Sequence, residues 1–327
     1  MHRRTLLHTF GILSLALSAI LGCKKGDGGA SGSGSGKHAG TAQDPFVIGM
    51  SQCNLGEPWR VQMNEDVKNA AAKNPNLKMV FKDAQNDSLT QRAQVEELVN
   101  QGIDLLIISP KESAPLTKPV SEAFKKGIPV IVLDRAVEGN DFTTFIGADN
   151  KKIGRAAGEW IGKSLNGTGK IVELKGLMTS KPGQDRHDGF LEGIGKTKDV
   201  KVVFEADMQW LEPNARKEME SALNTQKEID VVYAHNDPGA HGAWLAAKAA
   251  GREKSVKFVG IDALPHEGVK YVKDGILDAT FMYPTGGTEA IDTALKILKK
   301  EQAPKTIVLG TRIYTKENVD KGGEELK

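Results

Sequence analysis

The chain has 327 residues, 44 basic against 42 acidic side chains, a formal net charge of +2 and 39% hydrophobic residues. That length exceeds one ordinary domain and makes two the natural division once a processed leader is set aside. The mild, interspersed charge gives nucleic-acid binding no electrostatic support, and two cysteines are too few for a disulfide-stapled fold.

At the amino end, His2-Arg3-Arg4 is a positive n-region, and Phe10 to Leu21 is an apolar run too short for a comfortable membrane span. It runs into Ala19-Ile20-Leu21-Gly22-Cys23, which resembles a bacterial lipobox. Residues 1–22 then form a lipoprotein signal peptide, and Cys23 is the lipidated first residue of the mature chain. An ordinary secretory leader with an incidental cysteine is the alternative, and Arg3-Arg4 leaves Sec and twin-arginine export both open. Residues 23–44 are dominated by Gly, Ser and Lys, and this composition predicts a flexible tether. Gly36-Lys37-His38 lacks the hydroxyl residue and the upstream strand of a phosphate loop. Cys53 follows an apolar strand and reads as a small packed hydrophobe, since no neighbouring base would activate it.

From about Pro45, short β-branched runs alternate with segments of helical period. Strands are predicted at Phe46–Met50, Lys78–Phe81, Asp104–Ile108, Pro129–Leu133 and Thr143–Gly147. A second set follows at Lys170–Leu174, Lys201–Phe204, Asp230–Tyr233, Lys257–Ile261 and Ala279–Met282. Helices between them include Trp59–Lys73, Ser88–Gln101, Glu112–Lys126, Asn150–Leu165 and Pro238–Ala250, with Gly102 and Gly127 as C-terminal stops. The strand-helix rhythm runs twice, before and after about Ala148. The fold class is therefore α/β, with two similar Rossmann-like lobes and a cleft between them.

In open parallel sheets, ligands bind beyond the carboxyl ends of the strands. Those tips carry Glu57, Trp59 and Arg60 after the first strand, Asp134-Arg135 after Leu133, Asn236 after Ala234 and Asp262 after Ile261. Neighbouring hydroxyls of a sugar both donate and accept, so they suit carboxylates, amides and guanidinium forks, while the C–H face of the ring packs on an aromatic plane. Trp59, Asp134, Arg135, Arg186, Asn236 and Asp262 supply that set. Each has a plainer alternative: core packing for Trp59, helix capping for Asp134 and Asp262, and a surface ion pair for Arg186.

From about Phe46 to Thr315 the chain resembles the type I periplasmic sugar-binding proteins, the family of the ribose-binding and galactofuranose-binding proteins. The resemblance is carried by Ile48-Gly49-Met50-Ser51-Gln52 with Trp59-Arg60, Ile131-Val132-Leu133-Asp134-Arg135, Val172-Glu173-Leu174-Lys175-Gly176, Arg186-His187-Asp188-Gly189-Phe190, Val232 to Asp237 and Gly260-Ile261-Asp262. It implies that Trp59 stacks on the sugar beside Arg60, that Asp134 and Arg135 are the first lobe's polar ligands, and that Arg186, Asn236 and Asp262 come from the second. Tyr283 stands where ribose binders carry a glutamine, and Glu57 where they carry an asparagine. The loop between Asp207 and Arg216 is longer than usual for the family, which offers Trp210 as the second aromatic platform, with Met208 competing.

The resemblance also implies three crossings between lobes, near Ala148-Asp149, Tyr283-Pro284 and Gly310-Thr311. Residues 45–148 plus 284–310 then form one lobe, and 149–283 plus 311–327 the other. The function implied is capture of a pentose or hexose outside the cytoplasm, in the periplasm or on the outer cell surface, for an ABC transporter permease. A sugar-sensing module for a chemoreceptor or sensor kinase is the alternative. No cofactor, metal ion or nucleic acid is expected, and a monomer is. Catalysis has little support: Asn236-Asp237-Pro238-Gly239 carries one aspartate where the metal loop of nucleoside hydrolases clusters several, and HExxH and GxSxG motifs do not occur. A repressor of similar architecture would need an N-terminal helix-turn-helix, whereas a leader and a glycine-rich segment stand there.

Overall fold

The computed structural model of the protein describes residues 38–326; the expected signal peptide, Cys23 and the tether as far as residue 37 lie outside the described residues. β1 (Phe46–Gln52), α1 (Pro58–Ala72), β2 (Leu77–Asp83), α2 (Ser88–Gln101), β3 (Leu105–Ser109), α3 (Ser113–Lys125), β4 (Val130–Leu133) and β5 (Thr144–Ala148) form a first run. The second run is α4 (Asn150–Ser164), β6 (Thr168–Lys175), α5 (Lys181–Ile194), β7 (Asp199–Asp207), α6 (Glu212–Thr225), β8 (Val231–Ala234), α7 (Asp237–Ala249), β9 (Lys257–Asp262), α8 (Gly268–Lys273) and β10 (Ala279–Met282). The chain finishes with α9 (Gly287–Leu298), β11 (Thr306–Leu309), β12 (Arg312–Thr315), a 3-10 turn at Val319–Lys321, and β13 (Glu324–Glu325).

Two sheets result, ordered β11-β5-β4-β3-β1-β2 and β13-β12-β10-β9-β8-β6-β7. The first is wholly parallel; the second is parallel except where β12 pairs antiparallel with β10 and with β13. Helices cover both faces, so the central strands are buried on both sides and read as unbroken apolar runs, as in Leu105 to Ile108. Local chemistry sets the helix ends. Pro58 stands in the first turn of α1, the Asp87 side chain accepts from the Thr90 N–H at the start of α2, and Gly102 ends that helix at φ 83°.

The chain passes between the sheets three times, from β5 to α4, from β10 to α9 and from β11 to β12. Helix α9 returns to pack on α1, where Gly287 approaches the backbone of Val67. In the second lobe, α4 and α5 meet through glycines spaced four apart, Gly154 and Gly158 against Gly189 and Gly193. Among the described residues, no helix is long and apolar enough to cross a membrane.

Residues 38–44, which composition assigns to the tether, are instead held on the first lobe. His38 Nδ1 lies 2.8 Å from Asp104 Oδ2, the Ala39 N–H donates to Asp44 Oδ2 at 2.8 Å, and Gly40 abuts the Phe46 ring. Polar contacts anchor this stretch, and a reading based on its lack of apolar residues does not register them.

Candidate functional site

The two lobes meet around a narrow gap lined by Glu57, Trp59, Arg60, Asp134, Arg135, Pro182, Arg186, Trp210, Asn236, Asp262 and Tyr283. All ten cavity positions named from the sequence are brought together here, and Pro182 is the one addition. The first lobe contributes Glu57, Trp59 and Arg60 at the amino end of α1, with Asp134 and Arg135 just past β4. The second contributes Pro182 and Arg186 from α5, Trp210 from the loop after β7, Asn236 past β8 and Asp262 at the end of β9. Tyr283 sits where β10 crosses back.

The first lobe's charges are buried and interlocked. Arg60 donates to Gln52 Oε1 at 3.1 Å, to the Ser109 hydroxyl at 2.9 Å and to Asp134 Oδ2 at 3.0 Å. Ser109 donates to the same Asp134 oxygen at 3.1 Å, and the Asn54 amide holds Glu57 at 2.9 Å. Arg135 donates to the Lys111 carbonyl at 3.0 Å. Cys53 lies beneath, fully buried, with its sulfur against the polar side chains of Gln52, Asn54 and Arg135 instead of in an apolar cluster; burial pushes its thiol up, which disfavours the thiolate.

Across the cavity, Arg186 donates to Asn150 Oδ1 at 2.8 Å and to the His235 carbonyl, and its guanidinium lies 3.7 Å from Asp262. Burial pushes the Asp262 carboxyl well above its usual range; Arg186 opposes the shift and Asp237 adds to it. Asn236 caps α7 by accepting from the Gly239 N–H, while its amide donates to the Trp210 carbonyl at 3.0 Å. The plainer alternatives fail for two residue types: Arg186 is buried rather than paired at the surface, and neither Asp134 nor Asp262 caps a helix. Trp59 does both jobs, since it lines the cavity, belongs to the core cluster and donates its indole N–H to the Tyr283 carbonyl at 2.8 Å. Trp210, not Met208, faces the cavity; Met208 is packed in the second lobe's core.

Residues of both lobes touch around this gap. Arg135 lies 5.6 Å and Arg186 5.3 Å from the centre of the Trp210 ring, Arg186 also stacks over Tyr283 at 4.7 Å, and the Tyr283 hydroxyl reaches the Asp134 carbonyl at 3.4 Å. Backbone strain collects here too. Asp134, Trp210 and Asp262 have φ of 68°, 70° and 128°, conformations that cost about 1–3 kcal/mol each for residues other than glycine. Gly176 leaves room for Trp210, since a Cβ there would stand 2.3 Å from the indole.

Three N–H groups of residues lining the gap, Arg60 Nε, Arg135 Nε and Trp210 Nε1, are buried without a hydrogen-bond partner, although Arg60 Nε lies 3.4 Å from Glu57 and Arg135 Nε 3.9 Å from Asp134 as ion pairs. A buried donor left unpaired costs about 1–3 kcal/mol, so these groups can each take an acceptor from a molecule in the gap. The formal charges balance, with three carboxyl groups against three guanidinium groups. Sequence reasoning passed over Asn150, which links Arg186 to Tyr283; its position at the start of α4 reads only as a helix boundary.

Residues 48–302 match the family described as a periplasmic binding protein domain. The chain is 31% identical over 272 residues to a ribose import binding protein of Bacillus subtilis, covering 83% of this chain and 87% of that one. It is 30% identical over 275 residues to a galactofuranose-binding protein of Escherichia coli, covering 81% and 86%. A solved fructose-binding periplasmic domain of a hybrid two-component system superposes with a TM-score of 0.82 at 44% identity, covering 85% of this chain and 93% of that one.

Proposed function

Since this chain belongs to the periplasmic binding proteins, in the type I sugar-binding branch, we propose that it captures one neutral monosaccharide between its lobes outside the cytoplasm and delivers it to an ABC transporter. The observation that carries this reading is the convergence of two indole rings, three guanidinium groups and three carboxyl groups from both lobes on one gap, with buried N–H donors that have no hydrogen-bond acceptor. Sugar hydroxyls would satisfy those donors and in turn donate to Asp134, Asp262 and Glu57. A charged metabolite would bring a further buried charge into a gap already lined by six carboxyl and guanidinium side chains.

In this reading Trp59 and Trp210 take the two C–H faces of the ring, Arg60, Asp134 and Arg135 grip from the first lobe, and Arg186, Asn236 and Asp262 grip from the second. Tyr283 and Glu57 shape the ends of the gap. Because the ligand contacts both lobes, it stabilises the closed arrangement that a partner protein can distinguish from an open one. The chain binds and does not turn over its sugar, works as a monomer, and is anchored through a lipid on Cys23, a reading that rests on Ala19 to Cys23 alone. D-fructose is the first sugar to test, because the solved relative at 44% identity is described as fructose-binding. That same relative belongs to a two-component system, which favours sensing as the second reading.

A thermal-shift screen of pentoses and hexoses tests the proposal. A ligand at 100 times its Kd adds about 2.7 kcal/mol of stability, so at least one sugar raises Tm clearly. Stabilisation by nucleotides or amino acids, and by no sugar, refutes the substrate class. Co-purification with a permease or with a receptor kinase separates delivery from sensing.

A further inference from the structure

Outside the gap, three ligand-type side chains converge on the face of the second sheet that α5 covers. Glu173 on β6 stands directly beside Glu205 on β7, and His187 of α5 lies against them. One ligand atom from each falls within 4.8 Å of the other two. His187 Nδ1 is 2.9 Å from Glu173 Oε1 and 3.0 Å from Oε2. Glu173 is fully buried, His187 is partly exposed and Glu205 is exposed, so the cluster opens outward from a fixed inner carboxylate.

A second imidazole steadies that carboxylate from within the sheet. His235 Nε2 lies 3.0 Å from Glu173 Oε1, the kind of outer contact that orients metal-binding carboxylates. We propose that Glu173, His187 and Glu205 form a site for one divalent transition-metal ion, of the class represented by zinc. Imidazole nitrogen and carboxylate oxygen bind zinc at about 2.0–2.2 Å, and three protein ligands leave a further position for water. Lys175 Nζ, 3.3 Å from Glu205, competes for that carboxylate and limits the affinity. The ion would tie α5 to β6 and β7, and with α5 the cavity residue Arg186, next in sequence to His187.

Untagged full-length protein, stripped with EDTA, is titrated with zinc chloride by calorimetry, in parallel with His187→Ala, Glu205→Ala and His241→Ala. His241 pairs with Glu212 at 3.2 Å elsewhere on the lobe and serves as the control. Circular dichroism checks that each variant is folded. One ion per chain is expected for the parent and His241→Ala, with binding weakened at least about tenfold in His187→Ala and Glu205→Ala. No saturable uptake by the parent overturns the proposal. So does parent-like zinc affinity in either cluster variant, because the carboxylate would then be satisfied by its histidine hydrogen bonds alone.

Discussion

The contact between α4 and α5 sets how firmly Arg186 is presented to the gap, and Gly189→Ala probes it. A Cβ on Gly189 would stand 2.1 Å from the Lys151 carbonyl oxygen and 2.9 Å from the Arg155 nitrogen, against 3.4 Å for ordinary contact. The nearest atoms are backbone of the facing helix, so no side chain can swing aside, and the helices must part by roughly an ångström. Overpacking of this kind costs about 1–3 kcal/mol and sometimes more, while alanine's better helix propensity returns close to 1 kcal/mol. Because the clash is with backbone, the upper end of that range applies and a net loss of about 2 kcal/mol is expected. For a body of this size that lowers Tm by roughly 3 °C in a calorimetric scan. Displacement of α5 also moves Arg186 and weakens sugar binding. An unchanged or raised Tm, as helix propensity alone would produce, refutes the close-packing argument.

Arg60→Ala leaves Asp134 and Glu57 buried without their guanidinium; urea unfolding should register a loss of about 3–5 kcal/mol, together with loss of sugar binding. Trp210→Ala removes a ring that faces the gap and should raise the sugar Kd at least about tenfold by calorimetry while the far-UV spectrum is unchanged. Asp237 is buried and its carboxyl is pushed up to about 8, chiefly by burial, against hydrogen bonds from Thr280 and the Ala263 N–H. A carboxyl whose folded pKa lies above its unfolded value of about 3.9 adds stability that is fully present below that value and is lost as pH rises through about 8. Urea midpoints should therefore fall between pH 5 and pH 9, and Asp237→Asn should flatten the slope; an equal slope in the variant contradicts the assignment.

Ten strands were legible from β-branched runs because buried parallel strands must be apolar on both faces. The last three were not. β11 alternates between exposed and half-buried residues, β12 is four residues long and β13 two, so none has a long apolar run. Helices α5 and α6 were also weak signals. The glycines that let α5 approach α4, Gly189 and Gly193, lower its helix propensity, and their purpose appears only when the facing helix is present. Strand-end positions follow from topology once the strands are placed, which is how Asp134, Arg135, Asn236 and Asp262 could be named, whereas Trp210 and Tyr283 came only with the family resemblance. Pro182 escaped notice because it acts through shape, one helical turn before Arg186, and carries no polar group to attract attention.

Calorimetric titration of D-fructose and related monosaccharides into the parent protein, Asp134→Ala and Asp262→Ala reaches the central claim most directly, since each variant removes one carboxyl from one lobe. The account predicts one sugar per chain for the parent and at least about a tenfold loss of affinity in both variants. Parent-like affinity in either variant, or no heat with any monosaccharide, contradicts it.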